Sequence, residues 1–366
     1  MAEQRFPCPS CGASLAWSPG RGLECAACGY TGEVTDPGGA GIIREYRLDR
    51  AAIDAARGWG TALKAVRCGA CSAVSEIPPD LQASSCAFCG APQVHDLPVD
   101  EALIRPESVL PFQIDRNEAV RRFRGWLSGL WFRPSALKSA AQIESIAGVY
   151  VPAWTFDAQA SSQWTAEAGY HYQEQETYTE VVDGKREQKT RTVTKTRWQP
   201  ASGSHAFFYD DWVVQASAGL DQAAVKGLQP FDLKKLVPYD AKFLAGFRAE
   251  RYAVDLEAGW KVAQTEIGSA EKQACAAEVP GDTHRNLHVH TTLDEVRFKH
   301  MLLPVWIAAY RYDGKAYRYL VNGETGKANG DAPISWAKVA AFVVAILVFL
   351  GTVLGALATI QTLTQS

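Results

Sequence analysis

The sequence predicts an α+β protein: two N-terminal four-cysteine zinc ribbons, a β-rich mixed domain with signs of internal duplication, and one C-terminal transmembrane helix. Three observations carry this reading. Eight of the nine cysteines fall into four C-x-x-C pairs. The middle of the chain alternates strand-like runs, helical stretches and Asp-Gly turn dipeptides. Near the end, twenty-two consecutive residues carry no charge and are largely apolar. With 366 residues, 47% hydrophobic and 21% charged, the composition is globular and excludes wholesale disorder. A net charge of −3, from 37 basic and 40 acidic residues, removes the simplest argument for nucleic-acid binding. Met1–Pro7 lacks the apolar core of a secretion signal.

Residues 1–33 form the first ribbon. Cys8 and Cys11 are followed after thirteen residues by Cys25 and Cys28. Residues 65–97 form the second, with Cys68 and Cys71 followed after fourteen residues by Cys86 and Cys89. Each set has the spacing of a four-cysteine zinc site. A C-x-x-C turn brings two thiolates to one edge of a tetrahedron, and a hairpin returns a second turn to the opposite edge. Gly12, Gly29 and Gly90 follow the second cysteine of three pairs, where a tight turn favours positive φ; Ser72 holds that place in the fourth. Disulfides would need an oxidising compartment, and a thioredoxin-type site needs one pair in a βαβ frame; an iron–sulfur cluster is the remaining competitor. Sequential pairing is favoured over a cross-brace of Cys8/Cys11 with Cys68/Cys71, which must close much longer loops. Four thiolates close the coordination shell, so two structural zinc ions are expected. Arg5 and Arg21 are balanced by Glu3 and Glu24, and Arg67 faces Glu76 and Asp80, so neither ribbon offers a phosphate footprint.

Between the ribbons, residues 34–64 read as a linker. Asp36–Gly41 is flexible in composition, and a short helix capped by Asp49 carries Leu48, Ala52, Ile53 and Ala56. Residues 98–333 form the mixed domain. Asp115 caps a helix whose apolar face is Ala119, Val120, Phe123, Trp126, Leu127 and Leu130. Val149–Phe156 reads as a buried strand. Glu174–Val182 and Gln188–Trp198 face each other across Asp183-Gly184. A long helix spans roughly Asp255–Glu278, and strands return at Asn286–Leu293, Leu302–Tyr312 and Ala316–Val321, with Asp313-Gly314 as a further turn. Leu110-Pro-Phe112 and Val151-Pro-Ala-Trp154 recur in order as Val237-Pro-Tyr239 and Leu303-Pro-Val-Trp306, which points to duplication.

Residues 334–366 form the tail. Val339–Ile360 would cover roughly 33 Å as a helix at about 1.5 Å per residue, enough for a hydrocarbon core. Trp336 and Lys338 sit where an interfacial aromatic and a cytoplasmic-side cation are expected, so the bulk of the chain should face the cytoplasm. Gly351 and Gly355 add a weak G-x-x-x-G packing signal.

Catalytic candidates are weak. His284, His288 and His290 cluster, but an exposed polar strand explains them more readily than a metal site. The basic residues from Lys185 to Arg197 face Glu174, Glu176 and Glu180, so cross-strand ion pairs are the economical account. Cys275 reads as core. None of the Gly-Lys pairs is followed by the Ser or Thr of a P-loop, and no hydrolase, metalloprotease or dinucleotide fingerprint appears. No enzyme activity is expected.

On the doubled ribbons, Ile104–Phe112, Gly129–Phe132, Gly148–Phe156, Phe243–Tyr252, Leu302–Trp306 and the apolar tail, the chain resembles a bacterial family of tail-anchored double zinc-ribbon membrane proteins. That family often carries a primosomal protein N′ or superfamily II helicase label, which the missing nucleotide motifs contradict. It is also similar to proteins encoded beside phage-shock protein A and SPFH-domain membrane proteins. The resemblance implies a scaffold or adaptor that recruits cytoplasmic proteins to the inner membrane in envelope stress, with an oligomer left open. The alternative is a nucleic-acid-binding ribbon protein of the replication or transcription type, without helicase activity.

Overall fold

The computed structural model describes residues 6–32, 42–58, 64–77, 86, 88–89, 91, 94–97, 102–134, 145–182, 185–220, 222–312 and 315–364. Its first part contains β1 (Phe6–Pro7), β2 (Ser14–Ser18), β3 (Gly22–Cys25), β4 (Thr31–Gly32), β5 (Tyr46–Arg47) and α1 (Arg50–Ala55). Next come β6 (Lys64–Cys68), β7 (Val74–Ile77), β8 (Val94–Leu97), β9 (Ser108–Val109), α2 (Arg116–Gly129), β10 (Ser145–Val182) and β11 (Lys185–Gln215). The remainder is α3 (Gln222–Leu228), β12 (Val237–Pro238), β13 (Arg248–Glu250), α4 (Leu256–Glu278), β14 (Thr283–Tyr312), β15 (Lys315–Asn322), β16 (Ala328–Gly330) and α5 (Trp336–Thr364). The fold is mixed α+β, as the sequence implies. The Asp36–Gly41 link and the Asp183-Gly184 and Asp313-Gly314 turns lie outside the described residues.

The first four strands make a small antiparallel sheet in the order β1-β2-β3-β4. All other described strands join one sheet whose spine is the antiparallel pair β10 and β14. β10 runs unbroken from Ser145 to Val182, joining the two segments that the sequence separates. β14 likewise joins Asn286–Leu293 to Leu302–Tyr312. The charged residues that interrupt the apolar pattern are accommodated in the ladder: register shifts flank Asp157, and Lys299 finds acidic partners. The buried run Tyr150–Phe156 lies against Phe298–Pro304, with both faces covered, so it shows no polar alternation.

Both amphipathic helices are capped by an aspartate, at Asp115 as the sequence predicts and at Asp255 as the structure adds. The Asp115 carboxylate accepts from Glu118 N at 2.7 Å, and Asp255 accepts from Ala258 N at 2.8 Å. α2 buries Ala119, Phe123 and Leu127, while α4 buries Leu256, Gly259, Ala263, Ile267, Glu271 and Cys275 at helical spacing.

The suggested repeat has a structural counterpart, but its first half aligns differently from the sequence reading. Val151 pairs directly with its counterpart Leu303, so a local two-fold axis passes between them. β9 runs parallel to β14 at Met301 and Leu302, and β13 runs parallel to β10 at Val149 and Tyr150. The Trp306 indole donates to Ile114 O at 3.1 Å, and the Trp154 indole donates to Val254 O at 2.8 Å. Phe112 packs on Trp306, and Tyr252 on Trp154, each at a ring separation of 5.0 Å. Ser108–Phe112 therefore corresponds to Arg248–Tyr252. Val237-Pro238, which the sequence matches to Leu110-Pro111, instead pairs antiparallel with Val109 and Ser108 at the sheet edge. There a proline without a donor costs no ladder bond, so the shared Val/Leu-Pro dipeptide misleads.

Candidate metal centres

Three of the four cysteine pairs close the same local turn among the described residues. Gly12 N donates to Cys8 O at 2.8 Å, Gly29 N to Cys25 O at 2.9 Å, and Ser72 N to Cys68 O at 3.1 Å. The residue after the second cysteine takes positive φ in all three: +74° at Gly12 and Gly29, and 61° at Ser72. Ser72 therefore meets the backbone demand at a steric cost that glycine avoids. Gly90 lies outside the described residues.

The turns are then brought face to face. In the first centre β2 and β3 pair Leu15 with Cys25, placing Cys8, Cys11, Cys25 and Cys28 together. In the second, β6 pairs with both β7 and β8, and Cys68, Cys71, Cys86 and Cys89 converge. Within each set all four sulfurs lie within 4.8 Å of one another. The Cys8–Cys28, Cys11–Cys25, Cys68–Cys89 and Cys71–Cys86 sulfur pairs are each 3.6 Å apart. A tetrahedron with about 2.3 Å metal–sulfur bonds has edges of roughly 3.8 Å, so the donor sets fit one four-coordinate ion each. Sulfurs at this spacing are not disulfide-bonded, and the grouping is sequential rather than cross-braced. Amide groups face the first sulfur of three turns: Ser10 N to Cys8 Sγ at 3.4 Å, and Ala70 N to Cys68 Sγ and Phe88 N to Cys86 Sγ at 3.3 Å. Such donors stabilise thiolate charge.

The electrostatics of the bare clusters also call for a cation. The Cys28 and Ala27 amides bring Cys25 down to about 7 despite burial. Although the Ala13 amide favours its thiolate, the Cys28 and Cys25 sulfurs push Cys11 up to about 12. In the second centre the hydrogen bond from Cys71 brings Cys86 down to about 5, while Cys71 itself is driven up by that bond and by burial. Within each of these two pairs the close sulfurs favour the thiolate on one cysteine and disfavour it on the other. A divalent ion removes the conflict by coordinating all four.

The centres differ in setting. Cys11 and Cys28 are exposed, as are Pro9, Ser10, Ala26 and Ala27 around them. This first module rests on the larger domain through Trp17 N donating to Ala245 O at 2.9 Å and an edge contact of Trp17 with Phe243 at 4.8 Å. The second centre is embedded. Cys68, Cys86 and fully buried Phe88 belong to one core cluster with Val149, Val151, Leu220, Val305 and Ile307.

Other predicted residues fall into structural places. His284, His288 and His290 are exposed along β14 and join no cysteine, aspartate or glutamate set among the described residues. Lys189 pairs with Glu180 at 2.6 Å, Arg191 with Glu176 at 3.4 Å, and Lys195 with Glu174 and Glu176 at 3.0 and 2.9 Å, as the cross-strand reading requires. Cys275 is fully buried beside Trp164 and Ala166. The sequence reading misses a third polar cluster. Lys299 Nζ lies 2.7 Å from Glu45 and 2.5 Å from Asp211, with Asp157 completing the acidic group. Burial, with Glu45 alongside, pushes Asp157 up to about 7. Its only sequence trace is a charge inside an apolar run. Nor does the sequence reveal buried Glu271, which accepts from Ser162 Oγ at 2.6 Å and Tyr209 OH at 2.8 Å.

α5 is long and apolar enough to cross a membrane, and none of its Trp336–Val353 segment is buried in the protein.

No family model and no solved structure matches this chain. It is similar to the uncharacterized protein YdjG of Bacillus subtilis, with 30% identity over 243 residues, which are 65% of this chain and 67% of that protein.

Proposed function

The chain belongs to one family with YdjG, and we propose that its members of this form are membrane-anchored zinc-ribbon adaptors. In this reading α5 spans the cytoplasmic membrane, with the N-terminal bulk on the cytoplasmic side where thiolates stay reduced. Two zinc ions close the two centres and serve structure. The embedded centre holds the mixed domain together, and the exposed first ribbon presents a recognition surface to cytoplasmic or membrane-associated proteins. Phage-shock protein A and SPFH-type proteins are the partner classes that the sequence resemblance implies. No catalytic role is assigned.

The observation that carries this reading is the combination, in one chain, of an unburied apolar helix and a solvent-facing cysteine knuckle whose exposed neighbours carry no charged side chain. A surface of Pro9, Ser10, Ala26 and Ala27 suits a protein surface rather than phosphate. Arg21, the described basic residue of this ribbon, is engaged with Glu24 at 3.1 Å, which weakens the nucleic-acid alternative further. The test combines fractionation with crosslinking in intact cells. The protein should sediment with membranes, and a photo-crosslinker at Ala27 should capture a discrete protein set that disappears in Cys25→Ser. A protein that stays soluble, or whose ribbon captures DNA instead, overturns the reading.

A further inference from the structure

Beyond Leu130, residues 131–134 leave the core. They are tied to the foot of α5. Ser335 N donates to Phe132 O at 2.8 Å, and Lys338 Nζ donates to Arg133 O at 2.7 Å. The Arg133 guanidinium donates to Ala332 O. The Phe132 ring meets Phe342 edge to face at 5.2 Å and 74°. This last contact fixes a depth. Phe342 lies six residues beyond Trp336, about 9 Å along a helix axis. If hydrocarbon covers the span from Val339 onward, it reaches Phe342 and therefore the ring packed on it.

The neighbouring side chains match that placement. Trp131 is 79% exposed, Trp336 75% and Ile334 51%. They form an apolar collar around the foot of the helix, beside two cations, Arg133 and Lys338. Exposed tryptophans next to cations at the foot of an apolar helix are the chemistry of a headgroup interface, where the indole has an apolar body and a polar edge to satisfy. In water the same collar is a cost with no return. The Gly129–Phe132 motif, which neither the metal centres nor the α2 packing face uses beyond Leu130, is thereby accounted for.

We propose that the Trp131–Phe132 loop is a second membrane contact, seated in the interfacial layer of the bilayer that α5 crosses and fixing the orientation of the domain above it. The proposal rests on α5 being a membrane span, so the test separates the two. A photo-crosslinking benzophenone amino acid is placed singly at Trp131, at Phe349 within the span, and at Phe208, an exposed ring on β11. Each full-length protein is reconstituted in phosphatidylethanolamine–phosphatidylglycerol vesicles, irradiated, and its lipid adducts are measured by mass spectrometry. Positions 131 and 349 should both label lipid, on the order of tenfold above position 208, because only they meet the bilayer. Labelling at 349 with none above background at 131 overturns the proposal and leaves the span intact. Absence of labelling at 349 overturns both.

Discussion

The two ribbons share a donor set and a turn geometry, yet they stand in opposite relation to the rest of the molecule. In the first, two of four cysteines face solvent, and the module touches the domain mainly through Trp17. In the second, β7 continues the main sheet by pairing with β13, and Phe88 fills the core so closely that a Cβ on Gly219 would stand 2.4 Å from its ring. One motif thus supplies both a displayed surface and a piece of core. The difference lies in what surrounds the cysteines and not in the donor sets.

Cys86→Ser should produce the largest effect. It removes a metal ligand and opens a buried site shared with Val149, Val305 and Ile307. Loss of the second ion and at least about 4 kcal/mol of domain stability is expected, since binding energy here is folding energy. Elemental analysis together with thermal unfolding in detergent checks this; a variant that keeps wild-type stability would make the second ribbon as peripheral as the first.

Acid probes the core side of the comparison. His300 is fully buried, its Nδ1 lies 3.0 Å from Ile104 O, and burial lowers its pKa from 6.5 to about 4. The unfolded chain takes up this proton first, so the contribution is complete above pH 6.5 and lost as pH falls towards 4. About 3 kcal/mol should disappear across that window, by about 1.4 kcal/mol per pKa unit. His300→Gln should flatten this part of the pH–stability curve; an unchanged slope would show that the imidazole is solvated.

Trp17→Ala addresses the seam between the first ribbon and the domain. The aromatic pair with Phe243 contributes about 1 kcal/mol beyond area burial. Faster protease cleavage between the ribbon and α1 is expected, with metal content unchanged. An unaltered cleavage rate would mean that other contacts hold the ribbon. The smallest effect concerns a turn in the second ribbon. Ser72 sits at φ 61° with its partner bond made, so Ser72→Gly should raise stability by roughly 0.5 kcal/mol. A decrease would show that the serine side chain contributes something the turn geometry hides.

Much of this was legible because its determinants are local. The cysteine spacing, the Asp49 and Asp115 caps and the apolar tail each speak within one or two turns of chain. What the sequence concealed is non-local. That Cys86 and Phe88 would join a core with Val305 depends on sheet pairing across more than two hundred positions. The length of β10 and β14 was hidden because Asp157 and Lys299 look like breaks until their partners are seen. The duplication was half legible. The two tryptophans that mark it bond to equivalent carbonyls, but their first strands, Ser108–Val109 and Arg248–Ala249, share no residue that a sequence match could use.

The division of labour between the ribbons is tested most directly by hydrogen–deuterium exchange of the full-length protein in detergent, comparing Cys25→Ser with Cys86→Ser. In Cys25→Ser, amides of 14–25 should lose protection while Tyr150–Phe156 and Leu302–Ile307 stay as protected as in the parent. In Cys86→Ser, those core strands should exchange as well. Equal loss of core protection in both variants, or in neither, would contradict the account.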